Sequence, residues 1–242
     1  EQFASRARHG GFVNEADFVD NIAFGVSPAE AAAMDPCQRA VLERAYAALH
    51  EASLERASLA GTLTGVFLGI STSEFGQLLA ALPAGMSVHA ATGSSLSIAC
   101  GRLAYVFGLH GPCASYDTAC SAALVACHSG YRALQLLECG VALAAAVSLM
   151  LTPTIGTSFA VAGMTSAGGR SFTFDVRADG YVRGEGCGSV ALSRGAEDST
   201  ATLQGSAVRQ DGRSASLTAP NGQAQQGLIL AALKDADMSV DA

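Results

Sequence analysis

The sequence predicts an α/β protein in which helices cover a largely parallel sheet. Short apolar runs bounded by Gly and Pro alternate with longer segments of helical periodicity through most of the chain. One run, Val141 to Leu151, is too short for a bilayer span of about 20 residues and reads as a strand buried on both faces. Half of the 242 residues are apolar and 14% are charged, enough for a core in one large domain or two small ones. No internal repeat or low-complexity linker divides the chain.

The elements follow in order. Ser27-Pro28-Ala29-Glu30 is a capping box with Pro at the first helical position, and Asp35-Pro36-Cys37-Gln38 repeats the device. A helix from about Pro36 to Ala52 carries Val41, Leu42, Ala45, Tyr46 and Leu49 on one face, with Arg39, Glu43, Arg44 and Glu51 solvated. Thr64 to Ile70 reads as a buried strand that runs into a polar loop, Ser71 to Glu74. Ser94 or Ser95 caps a helix that ends at Gly108. A strand near Ala114 to Thr118 then delivers Cys120, whose helix runs to about Cys139 with Leu124, Cys127, Tyr131, Leu134 and Leu137 at helical spacing. Thr152 to Gly188 is Gly-rich and loop-like. Ser189 to Ser193 and Ala201 to Arg209 form a candidate antiparallel pair, and a last helix spans about Gln223 to Ala236 after the Asn221-Gly222 break.

Composition excludes several functions. A net charge of −7, with Lys234 the only lysine, argues against nucleic-acid binding, which needs basic surface to neutralise phosphates. Seven cysteines (Cys37, Cys100, Cys113, Cys120, Cys127, Cys139, Cys187) contain no C-x-x-C pair, so neither a zinc ribbon nor a thioredoxin-type motif is supported. Reduced thiols in an intracellular compartment are the economical reading, cytoplasmic by default with an organelle left open. The five histidines show no ligand spacing, and no metal site is expected. No secretory signal opens the chain, which starts at Glu1 without an initiating Met and reads as a piece of a longer polypeptide.

Cys120 is the residue with chemistry in it. It falls in Tyr116-Asp117-Thr118-Ala119-Cys120-Ser121-Ala122, where an extended stretch turns into a helix. The first turn of a helix has N–H groups without intrahelical partners, and with the macrodipole they act as roughly half a positive charge. A thiolate gains from that field. Small neighbours leave the sulfur accessible, so the position suits a covalent nucleophile; taken alone it also suits a small buried hydrophobe. Asp175 and Glu185, in the Gly-rich region, are expected to hold loops through hydrogen bonds. Gly184-Glu185-Gly186-Cys187-Gly188 lacks the strand-to-helix context of a nucleotide loop.

The segment around Cys120 resembles the nucleophile segment of β-ketoacyl synthases, specifically the ketosynthase domains of type I polyketide synthases. Met34-Asp35-Pro36-Cys37-Gln38-Arg39 resembles the family's Asp-Pro-Gln-Gln-Arg signature, with Cys37 a departure. Gly101-Arg102-Leu103-Ala104-Tyr105 and Gly111-Pro112 precede the cysteine as they do in the family. Ala162-Gly163-Met164, Phe174-Asp175 and the run from Arg177 to Gly186 follow it, then Gln210-Asp211-Gly212-Arg213 and Leu217 to Gly222. The motifs occur in order over nearly the whole chain.

The resemblance implies a thiolase-like fold, in which two βαβαβαββ halves pack as a five-layer α-β-α-β-α sandwich. Residues 1–242 would be the N-terminal ketosynthase portion: most of the first half, with the second half starting from about 195, incomplete at both ends. It further implies that Cys120 takes an acyl group from the phosphopantetheine thioester of an acyl carrier protein. A malonyl-type extender then decarboxylates and attacks the acyl-Cys120 thioester in a Claisen condensation of polyketide or fatty acid biosynthesis. The Cys120 backbone N–H would be one oxyanion donor. No cofactor would be bound by the domain itself. The implied partners are the carrier protein, other synthase domains of the parent chain and, for the complete domain, a second copy.

The family's two histidines and lysine lie in a second half whose His-Gly-Thr-Gly-Thr and Asn-Ile-Gly-His type motifs do not occur here. His110 and His128 match neither context, so the chain alone is expected to be acylated at Cys120 without condensing. Ala122 and Ala123 stand where the family usually has serines, Arg209 where it often has Asn, and the stretch from Ser193 to Leu203 is shorter than typical. Two other readings are a ketosynthase-like docking or dimerisation module and a thiolase-type coenzyme A thioester enzyme. Retention of Cys120 weighs against the first, and the run from Arg177 to Gly186 against the second.

Overall fold

The structure, a computed structural model, describes residues 4–16, 18–71, 74–195 and 199–239. A two-residue strand, β1 (Gly10–Gly11), opens the chain. Ser27 and Asp35 then cap two helices, α1 (Pro28–Ala33) and α2 (Pro36–Glu51): Ser27 Oγ accepts from Glu30 N at 3.2 Å and Asp35 Oδ1 from Cys37 N at 2.8 Å. The side chains of Glu30 and Gln38 do not close the boxes. Both turn to the buried Arg102, which donates to Gln38 Oε1 at 2.8 Å and pairs with Glu30. After α3 (Arg56–Leu59) comes β2 (Thr64–Ile70), buried along its whole length as its unbroken apolar run requires.

Short helices α4 (Phe75–Ala80) and α5 (Ala90–Gly93) lead to α6 (Leu96–Phe107). Gly108 closes α6 in the left-handed conformation at φ +70°. Next come β3 (Cys113–Tyr116), a single 3₁₀ turn at Ala119–Ser121, α7 (Ala122–Gln135), β4 (Val141–Ser148) and α8 (Pro153–Val161). The chain continues through β5 (Arg183–Gly184) and β6 (Gly186–Ser193) to α9 (Gly222–Asp235), where Asn221 accepts from Ala224 N as the cap.

The main sheet runs β3-β2-β4-β6. β2 is parallel to both β3 and β4, and β6 returns antiparallel on the far edge of β4. β1 and β5 make a separate parallel pair. Alternation along β2 sorts its side chains between two layers. Val66, Leu68 and Ile70 enter a large core with Leu42, Leu103, Phe107 and Leu143, contributed by α2, α6 and β4. Phe67 points the other way, into a smaller core with Ala126, Ala133, Leu134 and Ala142. Helices therefore cover both faces, with α7 on the second.

Several expectations are corrected. α7 ends at Gln135, short of Cys139: Leu137 adopts φ +63° and Glu138 N donates back to the Ala133 carbonyl. The face that α7 buries consists of Ala122, Ala126, Gly130, Ala133 and Leu134, while Leu124 is 73% and Leu137 63% exposed. Small residues let the helix axis approach β2 and β4, so the larger apolar residues face outward. Tyr46 likewise lies at the margin of the α2 face and is exposed. Arg39 folds back onto the Met34 carbonyl, and Glu43 accepts from Asp20 N, so neither is simply solvated.

The loop-like reading of 152–188 missed α8 and the start of β6. Ala201 to Arg209 forms no strand. β6 takes the edge of β4 instead, and side chains satisfy the later segment. Tyr131 Oη donates to the Gln204 carbonyl at 3.1 Å, Arg132 to the Ser206 carbonyl at 2.8 Å, and Ser206 N to Asp235 Oδ2 at 2.9 Å. Of the polar loop after β2, Thr72 and Ser73 lie outside the described residues; Glu74 is buried. Among the described residues no helix is long and apolar enough to cross a membrane.

Candidate active site

Because β2, β3 and β4 are parallel, the segments that follow Ile70, Tyr116 and Ser148 leave the sheet at the same edge. Open α/β sheets bind ligands outside the carboxyl ends of their strands. Cys120 lies there, exposed, in the 3₁₀ turn between β3 and α7.

Local bonds shape that turn. Asp117 Oδ1 accepts from Ala119 N at 3.2 Å. Ser121 Oγ lies 2.9 Å from both the Thr118 carbonyl and Thr118 Oγ1, donating to them. Between these clamps Ala119 is held at φ +53°, a left-handed conformation that costs a non-glycine residue about 1–2 kcal/mol. The bend swings the next residue, Cys120, out ahead of the first turn of α7. Gly69 of β2 passes directly beneath: a Cβ there would lie 2.7–2.8 Å from the backbone of Ala122 and Ala123. Only hydrogen fits, so Gly69 sets how closely the nucleophile turn sits on the sheet.

Tyr181 is brought to the same place. Its backbone bridges to Thr165, with Tyr181 N donating to the Met164 carbonyl and Ser166 N to the Tyr181 carbonyl. Its ring packs on Phe159 of α8 at 6.5 Å between centroids, and the Arg183 guanidinium covers Phe159 at 5.5 Å. Burial pushes the Tyr181 phenol up; Arg183 pulls it down, and negative charge on Cys120 pushes it up again. Tyr181 is therefore within electrostatic reach of the Cys120 sulfur. The sequence placed Tyr181 in a motif without a role, and only the fold brings it to Cys120.

Two carboxylates hold the neighbouring loop. Glu185 accepts from Met150 N at 2.8 Å and from Val13 N at 3.0 Å, while Glu74 accepts from Thr152 N at 2.6 Å. Glu185 thus holds loops, as expected for it. Asp175 holds its own turn: Arg177 donates to both its oxygens and keeps its carboxyl below the usual range. Glu74, which follows the carboxyl end of β2, was read in the sequence only as part of a polar loop; its buried bond to Thr152 N depends on the fold.

The remaining thiols are in different surroundings. Burial raises Cys37, Cys127 and Cys139, and pushes Cys187 up to about 11. Cys100 is buried in α6, its sulfur 3.3 Å from the Ser97 carbonyl, and Cys113 is exposed at the opposite end of β3. His128 shares a hydrogen bond with Ser206 Oγ at 3.0 Å through Nδ1, and burial, helped by Arg132 and opposed by Asp235, lowers it. His50 stacks on Tyr46. Among the described residues no group of three or more His, Cys, Asp or Glu is placed to hold a metal.

Comparison with known proteins agrees with this architecture. Residues 2–198 match the beta-ketoacyl synthase N-terminal domain and residues 200–242 its C-terminal domain. The chain is 44% identical over 238 residues to a phenolphthiocerol/phthiocerol polyketide synthase polypeptide of Mycobacterium tuberculosis, covering 96% of this chain and 16% of that protein. Polyketide synthase GfsB of Streptomyces halstedii is also 44% identical, with 96% and 4% covered. Among solved structures, the ketosynthase from module 6 of the bacillaene synthase of Bacillus subtilis 168 superposes with a TM-score of 0.85 at 34% identity, covering 95% of this chain and 40% of that one. The oxazolomycin ketosynthase domain OzmH KS7 of Streptomyces albus JA3453 gives a TM-score of 0.86 at 33% identity, covering 95% and 41%. The fold is thus the thiolase-like one, and the chain spans less than half of the ketosynthase chains it superposes on. Two family matches that together account for nearly every residue, and polyketide synthase relatives at 44% identity, place this chain in the β-ketoacyl synthase family.

Proposed function

We propose that Cys120 is the acyl-accepting nucleophile of a ketosynthase domain, the N-terminal portion of a β-ketoacyl-[acyl-carrier-protein] synthase within a polyketide synthase. The observation that carries this reading is the clamped turn. An exposed thiol stands at the carboxyl edge of a parallel sheet, in a turn directly ahead of a helix.

The chemistry runs in two transfers. The Cys120 thiolate attacks the carbonyl carbon of an acyl-phosphopantetheine thioester, and negative charge gathers on the carbonyl oxygen. The backbone N–H of Cys120 serves as one donor to that oxyanion, with the second supplied from the family's second half. The C–S bond to the carrier breaks, and the pantetheine sulfur leaves as a thiolate that takes up a proton. A malonyl extender then loses carbon dioxide, its carbanion equivalent attacks the acyl-Cys120 carbonyl, and the Cys120 thiolate departs as the new C–C bond forms. Tyr181, within electrostatic reach of the nucleophile, is held by Phe159, which the Arg183 guanidinium covers. The second-half histidines and lysine would carry the decarboxylation, and the second half would begin near residue 195.

The carrier protein and the other synthase domains are the partners this reaction needs. A second copy of the complete domain, reduced surroundings inside the cell and the absence of any domain-bound cofactor belong to the same reading. Intact-mass spectrometry after incubation with an acyl-pantetheine thioester tests it. Wild-type chain gains the acyl mass, Cys120→Ala does not, and no elongated product appears when malonyl-pantetheine is added. An unmodified wild-type chain would instead favour a docking module.

A further inference from the structure

After α8 the chain makes a long excursion and returns past its own start before β5. Gly180 crosses the outgoing arm so closely that a Cβ on it would lie 2.5 Å from the Thr165 carbonyl carbon. Its φ of +141° is a conformation that other residues rarely adopt. Asp179 Oδ2 accepts from Ala167 N at 3.1 Å, and Val182 N donates to Ser171 Oγ at 2.9 Å. Tyr181 sits at this crossing, bridged to Thr165. Its ring packs on Phe159 of α8, the helix that follows the carboxyl end of β4, the edge where Cys120 stands.

The segment that opens the chain straps this crossing from outside. Arg6, in a single 3₁₀ turn at Ser5–Ala7, uses one nitrogen for two bonds. Its Nη1 donates to the Thr165 carbonyl on the outgoing arm and, at 3.0 Å, to the Asp179 carbonyl on the returning one. Further along, the His9 ring lies against Gly169, where a Cβ would come within 2.4 Å of it. β1 then pairs with β5, and Glu185 N donates to the Gly11 carbonyl at 2.8 Å. Tyr181 is thus held between the Arg6 anchor at Asp179 and the β1–β5 pair. Thr165 is buried, so a carbonyl that loses its charged donor there is left poorly solvated, which costs more than losing one in water.

We propose that Arg6 is a positioning residue for acyl transfer to Cys120: it clamps the two arms of the loop and so holds Tyr181 beside the nucleophile turn. The role rests on the reading of Cys120 as the acyl acceptor. Arg6 itself is in the opening strap and acts only through the loop it closes. Because both bonds leave one nitrogen, a lysine ammonium, with three donors on a single nitrogen, can make them too. A neutral, short side chain cannot. A bond from a charged donor is worth a factor of about ten or more, which sets the size of the effect.

Two measurements on the full chain test this: amide hydrogen exchange, and the rate at which acetyl-pantetheine acylates Cys120. In Arg6→Ala the Ser166 and Tyr181 amides, which bond across the crossing, should exchange about tenfold faster, with β2 and β4 unchanged. Acylation should slow about tenfold, and Arg6→Lys should restore both. Tyr181→Ala alone should slow acylation as well. In that background, adding Arg6→Ala should change the rate by no more than about twofold, because the residue it acts through is gone. Unchanged exchange in Arg6→Ala, an unslowed Tyr181→Ala, or the full tenfold loss in both backgrounds would overturn the proposal. Wild-type acylation matched by Arg6→Ala would overturn this role alone, whereas no acylation of the wild-type chain would overturn the function proposed for Cys120 and this role with it.

Discussion

Ala119, at φ +53°, stores backbone strain that the flanking side chains must hold in place. Asp117 and Ser121 do so through three hydrogen bonds around the residue that precedes the nucleophile. Each net hydrogen bond contributes about 1 kcal/mol, and 1.4 kcal/mol is a factor of ten in rate. Ser121→Ala should therefore slow acylation of Cys120 about tenfold and lower Tm by a few degrees, the rate measured as mass gain from an acyl thioester. An equal rate would show that the turn holds itself. At this scale Cys120 was legible because strand, small residues and helix start are adjacent in the chain. Tyr181 was not, because its proximity depends on the Thr165 bridge and α8, which no local pattern encodes.

α7 shows why element faces are harder to read than element positions. A strand near Ala114 to Thr118 and a helix from Cys120 to about Cys139 were expected, but the apolar periodicity included Leu124 and Leu137, which are exposed. The buried stripe of Ala and Gly works through close approach rather than side-chain area, a signal that hydropathy understates. α8 was missed because Gly156 and the β-branched Thr154, Ile155 and Thr157 weaken its helical pattern, although Pro153 at its first position was a start signal. Ala201 to Arg209 is not a strand: side chains of Tyr131, Arg132 and Asp235 bond its backbone at Gln204 and Ser206 instead.

Close approach makes two predictions. Gly69→Ala should destabilise the fold by about 1–3 kcal/mol and also impair acylation, because the start of α7 must move off β2. Arg102 ties α1, α2 and α6 together, so Arg102→Ala should cost about 3–5 kcal/mol by leaving Glu30 and Gln38 without their buried partner. Urea unfolding measures both. A loss of less than about 1 kcal/mol for Arg102→Ala would mean that packing alone holds the three helices.

For the whole molecule, the order of parallel strands and covering helices was readable from alternating apolar runs. The antiparallel placement of β6 and the two cores were not, because they depend on pairings between distant segments. Acid should loosen the fold in two stages. His128 is lowered from its ordinary 6.5, so the folded state binds the proton less readily than the unfolded one. Its stabilisation is present above pH 6.5 and is lost as pH falls below it. The carboxyls of Asp175, Asp179 and Asp235 are lowered from 3.8, so their contribution is present above that value and lost as pH falls further. Thermal melts from about pH 7.5 to 5 should show Tm falling, with a shallower slope in His128→Gln; identical slopes would remove His128 from the account.

The central claim is that the turn singles out one thiol among seven. Time-resolved peptide mapping of the native chain with an acyl-pantetheine thioester tests it most directly. The account predicts acyl transfer to Cys120 at least ~100-fold faster than to any other cysteine, the size of effect that one positioned electrostatic contact supplies. Comparable rates at Cys120 and the exposed Cys113 would contradict it, because exposure alone would then explain the reactivity.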